Sequence, residues 1–472
     1  MDRSVSKYLS QHADAHSHVA DSIDGRFEHG VMIPAFAEGA ALVEALASVP
    51  DADGGVLVVV VVNRPSDATP EQVARHDESL VAITALWPRR PDTTADTLPS
   101  WASLHVWPKG RLVVLDVRVP RRRGVGLARK IGCDVLLRLW ANGTLRQPWL
   151  HMSDADSRWP ADFFGRADFV TPTAPAPAAL IRTYVHEAAA QVHAEACLRY
   201  EARLRHHVLG LQWARSPYAY EAIGSTISCH ALTYAQVRGV PSRPAAEDFY
   251  LLNKLAKIGE IRTVRGAPMR VSGRVSDRVP FGTGAALTTA VANDQLPRCY
   301  EPQLFVLLRM TLQALKHALV HETDLAAGLA EVTQRSEASR VAVTAVLPLK
   351  DRIPGLWDPP TLTPDLWAIW QAGVAERGLA AVVDEVQTAG LTLPKRQRRL
   401  ADQVDAFATL KLMHAWRSRG LPDVPVEDAV ARSPFCVEAG IVVPQRGSVR
   451  AMAALLAALA ALELVFEFGG ER

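Results

Sequence analysis

The stretch that decides the fold is Trp149-Leu-His-Met-Ser-Asp-Ala-Asp-Ser-Arg-Trp-Pro160, in which apolar residues run directly into Asp154 and Asp156. This pattern is typical of a buried strand that ends at the carboxyl edge of an open α/β sheet, where such sheets bind ligands. Because residues i and i+2 of a strand point the same way, both carboxylates are expected to face one hard cation, which can neutralise a diphosphate. An Asp-x-Asp pair can also simply cap a turn or a helix, so its surroundings decide between the two interpretations.

The segments before this stretch predict other strands of the same sheet. Residues 31–38 form an apolar run that we expect to be a short strand stopped by Pro34 and followed by an amphipathic helix over 39–49. Residues 55–62 are an unbroken β-branched run, which is typical of a central parallel strand buried on both faces. A third strand is predicted over 111–116 and a helix over 125–140. This alternation predicts an α/β, Rossmann-like, mostly parallel sheet flanked by helices.

The segments after the Asp-x-Asp stretch change in character along the chain. We expect a long helix or helix pair over 180–210, an inner strand over 221–230 and a helix over 248–259, followed by a glycine-rich basic loop. Beyond residue 300 helices dominate, over 304–320, 364–389, 400–419 and 448–468, with proline-rich joints over 348–364. The predicted domains are therefore an irregular or helical lead-in (1–29), an α/β domain (30–290) and an additional α-helical domain (291–472).

Composition narrows the class of protein. The 472 residues include 52 Lys and Arg against 50 Asp and Glu, a net charge of +2 that is too balanced to predict a nucleic-acid partner. Five cysteines far apart argue against a disulfide framework and favour a reducing compartment. No secretory signal is evident, and the longest apolar run, 451–462, is too short to span a membrane. We therefore expect a cytoplasmic protein without a transmembrane segment; peripheral membrane association and the oligomeric state stay open.

Taken together, residues 31–284 resemble the GT-A fold glycosyltransferases, most nearly the inverting class of family 2. The segments that carry the resemblance follow one another in the order of that class: Ile33-Pro-Ala-Phe-Ala-Glu38, Asn63-Arg64, Gly126-Leu-Ala-Arg129-Lys-Ile-Gly132, Asp154-Ala-Asp156, Gly224-Ser225, and Glu247-Asp248 with Leu251, Leu255 and Gly259. The chain departs from the class at Ala37, where Asn or Asp is frequent, and it lacks the Gln/Arg-x-x-Arg-Trp motif of processive synthases. The resemblance thus implies a transfer reaction without long-polymer synthesis.

The resemblance implies a nucleoside pocket after the first two strands. Pro34, Ala35 and Glu38 would lie against the nucleoside, with Glu38 hydrogen-bonding the base or the ribose. Asn63 and Arg64 would line the same pocket.

The resemblance also implies how the diphosphate and the sugar are held. Arg129 would approach the base or the phosphates, and Asp154 would face the ribose or the sugar. Asp156, with Asp154, would hold Mg²⁺ or Mn²⁺ on the diphosphate. Arg274 and Arg278 match no motif of the class, but their charge makes them candidate diphosphate clamps.

Three interpretations of the chemistry stay open. In the first, the enzyme is an inverting hexosyltransferase, in which Asp248 is the general base for a small or lipid-linked hydroxyl acceptor and Glu247 assists it. In the second, the enzyme is a retaining one of the mannosylglycerate or glucosylglycerate synthase kind, in which His230 completes the metal site and Asp248 is not a base. In the third, the chain is a catalytically silent nucleotide-sugar-binding or scaffold protein.

Overall fold

The computed structural model describes residues 2–39, 41–90, 98–120, 122–165, 176–276, 282–293, 295–332, 363–443 and 449–468. The chain forms two compact units. The first consists of Met1–Ala190 and Ala222–Thr288, and the second of Gln191–Glu221 and Thr289–Arg472. The first 29 residues thus belong to the α/β unit rather than to a separate lead-in, and the segment 191–221 belongs with the carboxyl-terminal helices.

The first unit is built on one mixed, eight-stranded sheet with the strand order β3-β4-β2-β1-β5-β7-β6-β8. Strands β4, β2, β1 and β5 are mutually parallel, β3 and β7 run antiparallel to their neighbours, and β6 and β8 are parallel to each other. The expected α/β class is confirmed. The strands are β1 (His29–Ala35), β2 (Val56–Arg64), β3 (Ala102–Trp107), β4 (Gly110–Arg118), β5 (Trp149–Met152), β6 (Ala179–Ala188), β7 (Ile227–His230) and β8 (Ile261–Gly273).

The centre of the sheet follows the predicted hydrophobic pattern. β2 lies between β1 and β4 and is buried from Val56 to Asn63, as expected of a β-branched central strand. β1 continues through Pro34 to Ala35, so the prediction that the proline stops the strand is wrong. The ladder between β1 and β5 covers only Gly30–Met32, and Pro34 therefore lies beyond it.

Three strand assignments differ from the sequence prediction. The segment 180–210, expected to be helical throughout, begins with the ten-residue strand β6 before helix α5 (Ala194–Trp213). Strands β3 and β8 were not predicted. Each of these strands lies toward an end of the sheet, where only partly alternating burial gives a weaker pattern than a fully buried strand does.

The helices up to residue 256 belong to the first unit, apart from α5, which belongs to the second, and α8 spans the boundary at Thr288. Gly132 of α4 faces Met32 and Val61, and a Cβ there would come within 2.6 Å of the Met32 methyl group, so glycine permits α4 to approach the sheet closely. The helices are α1 (Arg3–Gln11), α2 (Ala41–Ser48), α3 (Pro70–Leu86), α4 (Gly124–Ala141), α5 (Ala194–Trp213), α6 (Ala231–Gln236), α7 (Glu247–Ala256) and α8 (Thr283–Ala292), with a 3₁₀ helix at Ala15–Ser22.

The second unit is helical, as predicted for the carboxyl-terminal region. The predicted helix 364–389 is two helices separated at Gly378, whose φ of 61° suits glycine. Of the proline-rich joint 348–364, residues up to 362 lie outside the described residues. No helix of the described residues is long and apolar enough to cross a membrane. The remaining helices are α9 (Gln303–His321), α10 (Pro364–Glu376), α11 (Leu379–Thr388), α12 (Leu393–Gln403), α13 (Ala406–Arg417), α14 (Val426–Arg432), α15 (Pro434–Glu438) and α16 (Val449–Phe468).

Candidate functional site

The topology of the sheet places a crevice between β1 and β5. From β1 the chain proceeds to β2 and then β4 on one side, and it returns to β5 on the other side of β1. In open α/β sheets such a switch point leaves a gap at the carboxyl ends of the two strands, and ligands bind there. The residues that follow β1 and β5 are Phe36–Glu38 and Ser153–Asp156, so both predicted acidic segments lie at this gap.

Arg274, which follows β8, joins the two sides of the crevice. One terminal guanidinium nitrogen donates to Oε2 of Glu38 over 2.8 Å, and Nε lies 2.8 Å from Oδ2 of Asp156. The Glu38 side chain is 7% exposed and that of Asp156 21%. Burial raises the pKa of both carboxyls to about 7, although the Arg274 charge acts in the opposite direction.

Arg129, on α4, forms hydrogen bonds with three separate segments at the site. Its Nε donates to Oε1 of Glu247 over 2.7 Å, one terminal nitrogen donates to the Gly224 carbonyl over 2.9 Å, and the other donates to Asp154. A Cβ at Gly224 would come within 2.4 Å of the guanidinium, so the glycine makes room for it.

This geometry bears on two predicted roles. Arg129 is 4% exposed, and protein acceptors engage each of its nitrogens, so it holds these segments together. Glu247 is 3% exposed and pairs with Arg129. A contact of Arg129 with a base or a phosphate, and an assisting role for Glu247, stay predictions.

Asp248 differs from its neighbour because it is only half-buried at the start of α7. One of its carboxylate oxygens accepts from the backbone N–H of Phe249 over 2.7 Å. Burial, and next the charge of Glu247, raises the Asp248 pKa to about 7. A carboxylate with such a pKa can exchange a proton near neutral pH.

Two alanines in the left-handed conformation precede these acids. Ala37 has φ 52° and directly precedes Glu38, and Ala246 has φ 57° and directly precedes Glu247. A side chain with a Cβ is disfavoured there, and such residues concentrate where the surrounding structure enforces a special geometry, often at functional sites. Neither conformation is predictable from the residue type, because glycine and asparagine are the residues that indicate it.

The two carboxylates of the Asp-x-Asp motif pair with different arginines. β5 ends at Met152, and the Ser157 N–H bonds back to the Asp154 carbonyl over 3.2 Å, so the motif lies in a turn where the period of two does not apply. Asp154 accepts from Arg129 and Asp156 pairs with Arg274. Each carboxylate thus has its own guanidinium partner in this arrangement, and the expectation that both face one cation stays a prediction.

The residues fit an open metal site and not a closed one. Among the residues that the structure describes, no group of three or more His, Cys, Asp or Glu side chains is placed to hold a metal ion. Carboxylate oxygens suit Mg²⁺ and Mn²⁺, and Mg²⁺ is commonly bound by one or two carboxylates together with substrate phosphates. Asp156, at the mouth of the crevice, fits that kind of site.

His230 does not lie near the acids. β7 runs antiparallel to β5, so His230 pairs with Trp149 at the beginning of β5, at the end opposite to Asp154. Its ring packs edge-on against Trp149, and Nδ1 accepts from the Leu232 N–H over 3.3 Å. His230 therefore caps α6 and lies away from the acids with which it could have shared a metal ion, which favours the alternative of a histidine satisfied within the fold.

The remaining predicted residues occupy the strand ends. Pro34, Ala35 and Asn63 are buried within β1 and β2, where their side chains contribute to the sheet, whereas Arg64 is half-exposed at the end of β2. Arg278 lies outside the described residues.

Sequence reasoning missed the contact between the start of α4 and the loop before α7. The Gly126 N–H donates to the Arg243 carbonyl over 3.0 Å, and Cβ atoms at Gly124 or Gly126 would come within 2.7 Å of the backbone of residues 241–244. The pair Gly124 and Gly126 was the available signal, because glycine permits two backbones to approach closely.

No protein-family model matches the chain, and a search of the curated proteins finds no match.

Proposed function

We propose that the chain is a GT-A glycosyltransferase that transfers a hexose from a nucleotide-diphosphate sugar to a hydroxyl acceptor. The observation that carries the proposal is the bridge from Arg274 to Glu38 on one side of the switch point and to Asp156 on the other. It brings together acids from the ends of two strands and an arginine whose planar guanidinium suits phosphate oxygens. In the proposed complex Glu38 contacts the nucleoside, and Arg274 and Asp156 lie at the diphosphate.

The charge of the site supports a requirement for a divalent cation. The site contains more acidic than basic side chains. Its two guanidiniums, Arg129 and Arg274, pair with four carboxylates, and Asp248 next to Glu247 is a fifth; the five are Glu38, Asp154, Asp156, Glu247 and Asp248. Fully ionised, the cluster would carry a net charge of 2 − 5 = −3, and burial, together with mutual repulsion of the carboxylates, raises the pKa values of Glu38, Asp156 and Asp248. A divalent cation would offset this charge and favour the ionised carboxylates. Mg²⁺ or Mn²⁺ held by Asp156 would supply Lewis-acid stabilisation of the leaving diphosphate.

Asp248 is the proposed general base. Its pKa of about 7 leaves a substantial fraction ionised at neutral pH while retaining the basicity needed to accept a hydroxyl proton. Arg129 positions it indirectly, because the guanidinium anchors the adjacent Glu247 in the first turn of α7. An acceptor deprotonated by Asp248 attacks the sugar opposite the leaving diphosphate, so the proposed outcome is inversion.

The retaining alternative loses the residue that favoured it, because His230 lies at the far end of β5. The anomeric configuration of the product tests this directly. Proton NMR of freshly formed product from an α-linked glucosyl donor is expected to show the large coupling of a β-linkage. A small coupling contradicts inversion and removes the base role from Asp248.

The experiment that tests the function is a thermal-shift screen of UDP-, GDP- and TDP-sugars with and without MnCl₂. A ligand that binds only the folded state raises the midpoint by mass action, so one nucleotide is expected to stabilise the protein in a manganese-dependent way. Hydrolysis or transfer of that donor then distinguishes an enzyme from a silent binding protein. If no donor raises the midpoint under either condition, the proposed function is wrong.

A further inference from the structure

Arginines line the carboxyl edge of the sheet on the side away from Asp156. They come from the ends of two strands, from the turn before α4 and from the loop before α7. Arg118, Arg122 and Arg243 are exposed, and the other two are half-buried. We call these residues the basic rim: Arg64, Arg118, Arg122, Arg123 and Arg243.

The strand-end part of the basic rim is held by the sheet register. Arg64 of β2 and Arg118 of β4 are direct partners in the parallel ladder, and the next residue, Val119, donates its N–H to the Arg64 carbonyl over 3.0 Å. The side chains of Arg64 and Arg118 are therefore attached to neighbouring backbone positions on adjacent strands. Adjacent like charges on a sheet are unfavourable unless something else neutralises them.

The second part of the basic rim is joined to α7. A terminal nitrogen of Arg123 donates to the Ser242 hydroxyl over 3.1 Å, which ties the start of α4 to the loop before α7. The Arg243 guanidinium lies over the Tyr250 ring, 3.9 Å from its centroid. Tyr250 is two residues beyond Asp248 on α7, about 3 Å further along the helix axis, and its side chain leaves the helix on a different face.

The positive charge of the basic rim is poorly compensated. The main cause of the lowered pKa of Asp116 is the hydrogen bond between Asp116 and His76. The charges of Arg64 and Arg118 also contribute to lowering that pKa. No ion pair joins any of the five guanidiniums to a described carboxylate. Cationic groups that lack internal partners at the edge of a ligand crevice attract anions into it.

We propose that the basic rim binds an anionic group, phosphate or carboxylate, of the acceptor, an inference that rests on the transfer reaction proposed above. Guanidiniums bind such groups through paired, charge-assisted hydrogen bonds. The anion is anchored at Arg122, Arg123 and Arg243, and the acceptor hydroxyl extends from there toward Asp248. Arg64, which would line the nucleoside pocket, marks the boundary between the donor site and this acceptor site on the sheet edge.

The test measures anion binding without catalysis, using the full-length chain. Inorganic phosphate and glycerol 1-phosphate, with glycerol as the neutral match, are titrated calorimetrically into the wild type, the double variant Arg122→Gln/Arg243→Gln, and the control Lys395→Gln/Arg398→Gln on α12. Both phosphates are expected to bind the wild type and the control, and glycerol is not. Binding to the rim variant is expected to weaken by about tenfold or more, the scale of one charge-assisted hydrogen bond, and binding to the wild type to weaken with added salt.

A second arm separates a soluble acceptor from a lipid headgroup. Co-sedimentation uses phosphatidylcholine vesicles with and without phosphatidylglycerol. Retention only by the anionic vesicles, lost in the rim variant, identifies a headgroup phosphate as the source. Binding of the soluble phosphates without vesicle retention identifies a small acceptor.

The inference is overturned if neither phosphate nor anionic vesicles bind, or if the rim variant binds them as the wild type does. Donor thermal shifts are measured on the same variants. If donors stabilise every variant but the phosphates do not bind, the anion site fails and the transferase proposal stands. If the phosphates bind through the basic rim but no donor binds, the transferase proposal fails and with it the acceptor role.

Discussion

The Nε–H of Arg129 donates to Oε1 of Glu247 over 2.7 Å, and each of these side chains is 5% exposed. The same guanidinium also pairs with Asp154. The buried guanidinium of Arg129 thus connects α4, the turn that follows β5, and the first turn of α7. The geometry of the candidate site depends on this residue more than on any direct contact between its acids.

Removal of the Arg129 side chain is expected to lower the free energy of unfolding. Arg129→Met leaves Glu247 and Asp154 without their cation, and breaking a buried ion pair from one side costs about 3–5 kcal/mol of the free energy of unfolding. Urea denaturation measures the loss. The matched control is Glu71→Gln, which breaks the exposed pair with Arg75 at 3.8 Å and should cost less than about 1 kcal/mol. Equal effects of the two changes would show that Arg129 does not stabilise the fold.

Gly126→Ala is expected to disturb the contact between α4 and the loop before α7. The added Cβ would lie 2.5 Å from the Pro241 carbonyl oxygen and 2.6 Å from backbone atoms of Arg243, so one backbone has to shift. Overpacking of this kind costs about 1–3 kcal/mol. Gly165→Ala, whose nearest atom would be 3.9 Å away, serves as the control and should leave the unfolding midpoint nearly unchanged. A similar midpoint for both variants argues against a close approach here.

Asp248→Asn tests the proposed base. The turnover number should fall by about 10²–10⁴-fold while the donor dissociation constant stays the same, because the base acts on the acceptor. In the wild type the rate should rise as the pH passes through about 7, where Asp248 loses its proton. The Asn variant should lack that rise. The exposed acid Asp53 provides the control change, Asp53→Asn, and unchanged turnover in Asp248→Asn would leave the residue without a catalytic role.

Asp156→Ala should abolish the manganese dependence of donor binding. The carboxylate lies at the mouth of the crevice and contributes little to core packing, so the unfolding midpoint without ligand should change little. Thermal shift with and without MnCl₂ measures both quantities. A variant that still binds donor with wild-type manganese dependence places the metal elsewhere.

The raised pKa of Glu38 predicts a fall in stability with rising pH. Its ordinary value is 4.5 and burial raises it to about 7, so between these pH values the folded state holds a proton that the unfolded state has released. The stabilisation from this proton is complete below pH 4.5 and is lost as the pH rises through about 7. Thermal unfolding measured across this range should decline less steeply for Glu38→Gln than for the wild type. Parallel curves would mean that Glu38 does not titrate there.

Much of the parallel half of the sheet follows from local pattern. β2 is predicted because seven consecutive apolar residues, Val56–Val62, leave neither face suited to water. The helix at 248–259 is predicted because its apolar residues recur at helical spacing. The sequence places Glu38, Asp154 and Asp156 directly after strands. Parallel strands bring their carboxyl ends to one edge, so these acids are expected to be neighbours.

By itself, then, the sequence determined the α/β class, the central strands, the helical carboxyl-terminal region and the set of acids at one sheet edge, because these depend on periodicity and on the direction of parallel strands. Only the tertiary structure decided which groups pair. Arg129 lies 25 residues from Asp154 and 118 from Glu247, and Arg274 lies 236 from Glu38. No local pattern encodes such pairings. The antiparallel direction of β7 likewise places His230 at the end of β5 away from the acids. Which strands pair, and in which direction, depends on contacts between distant parts of the chain.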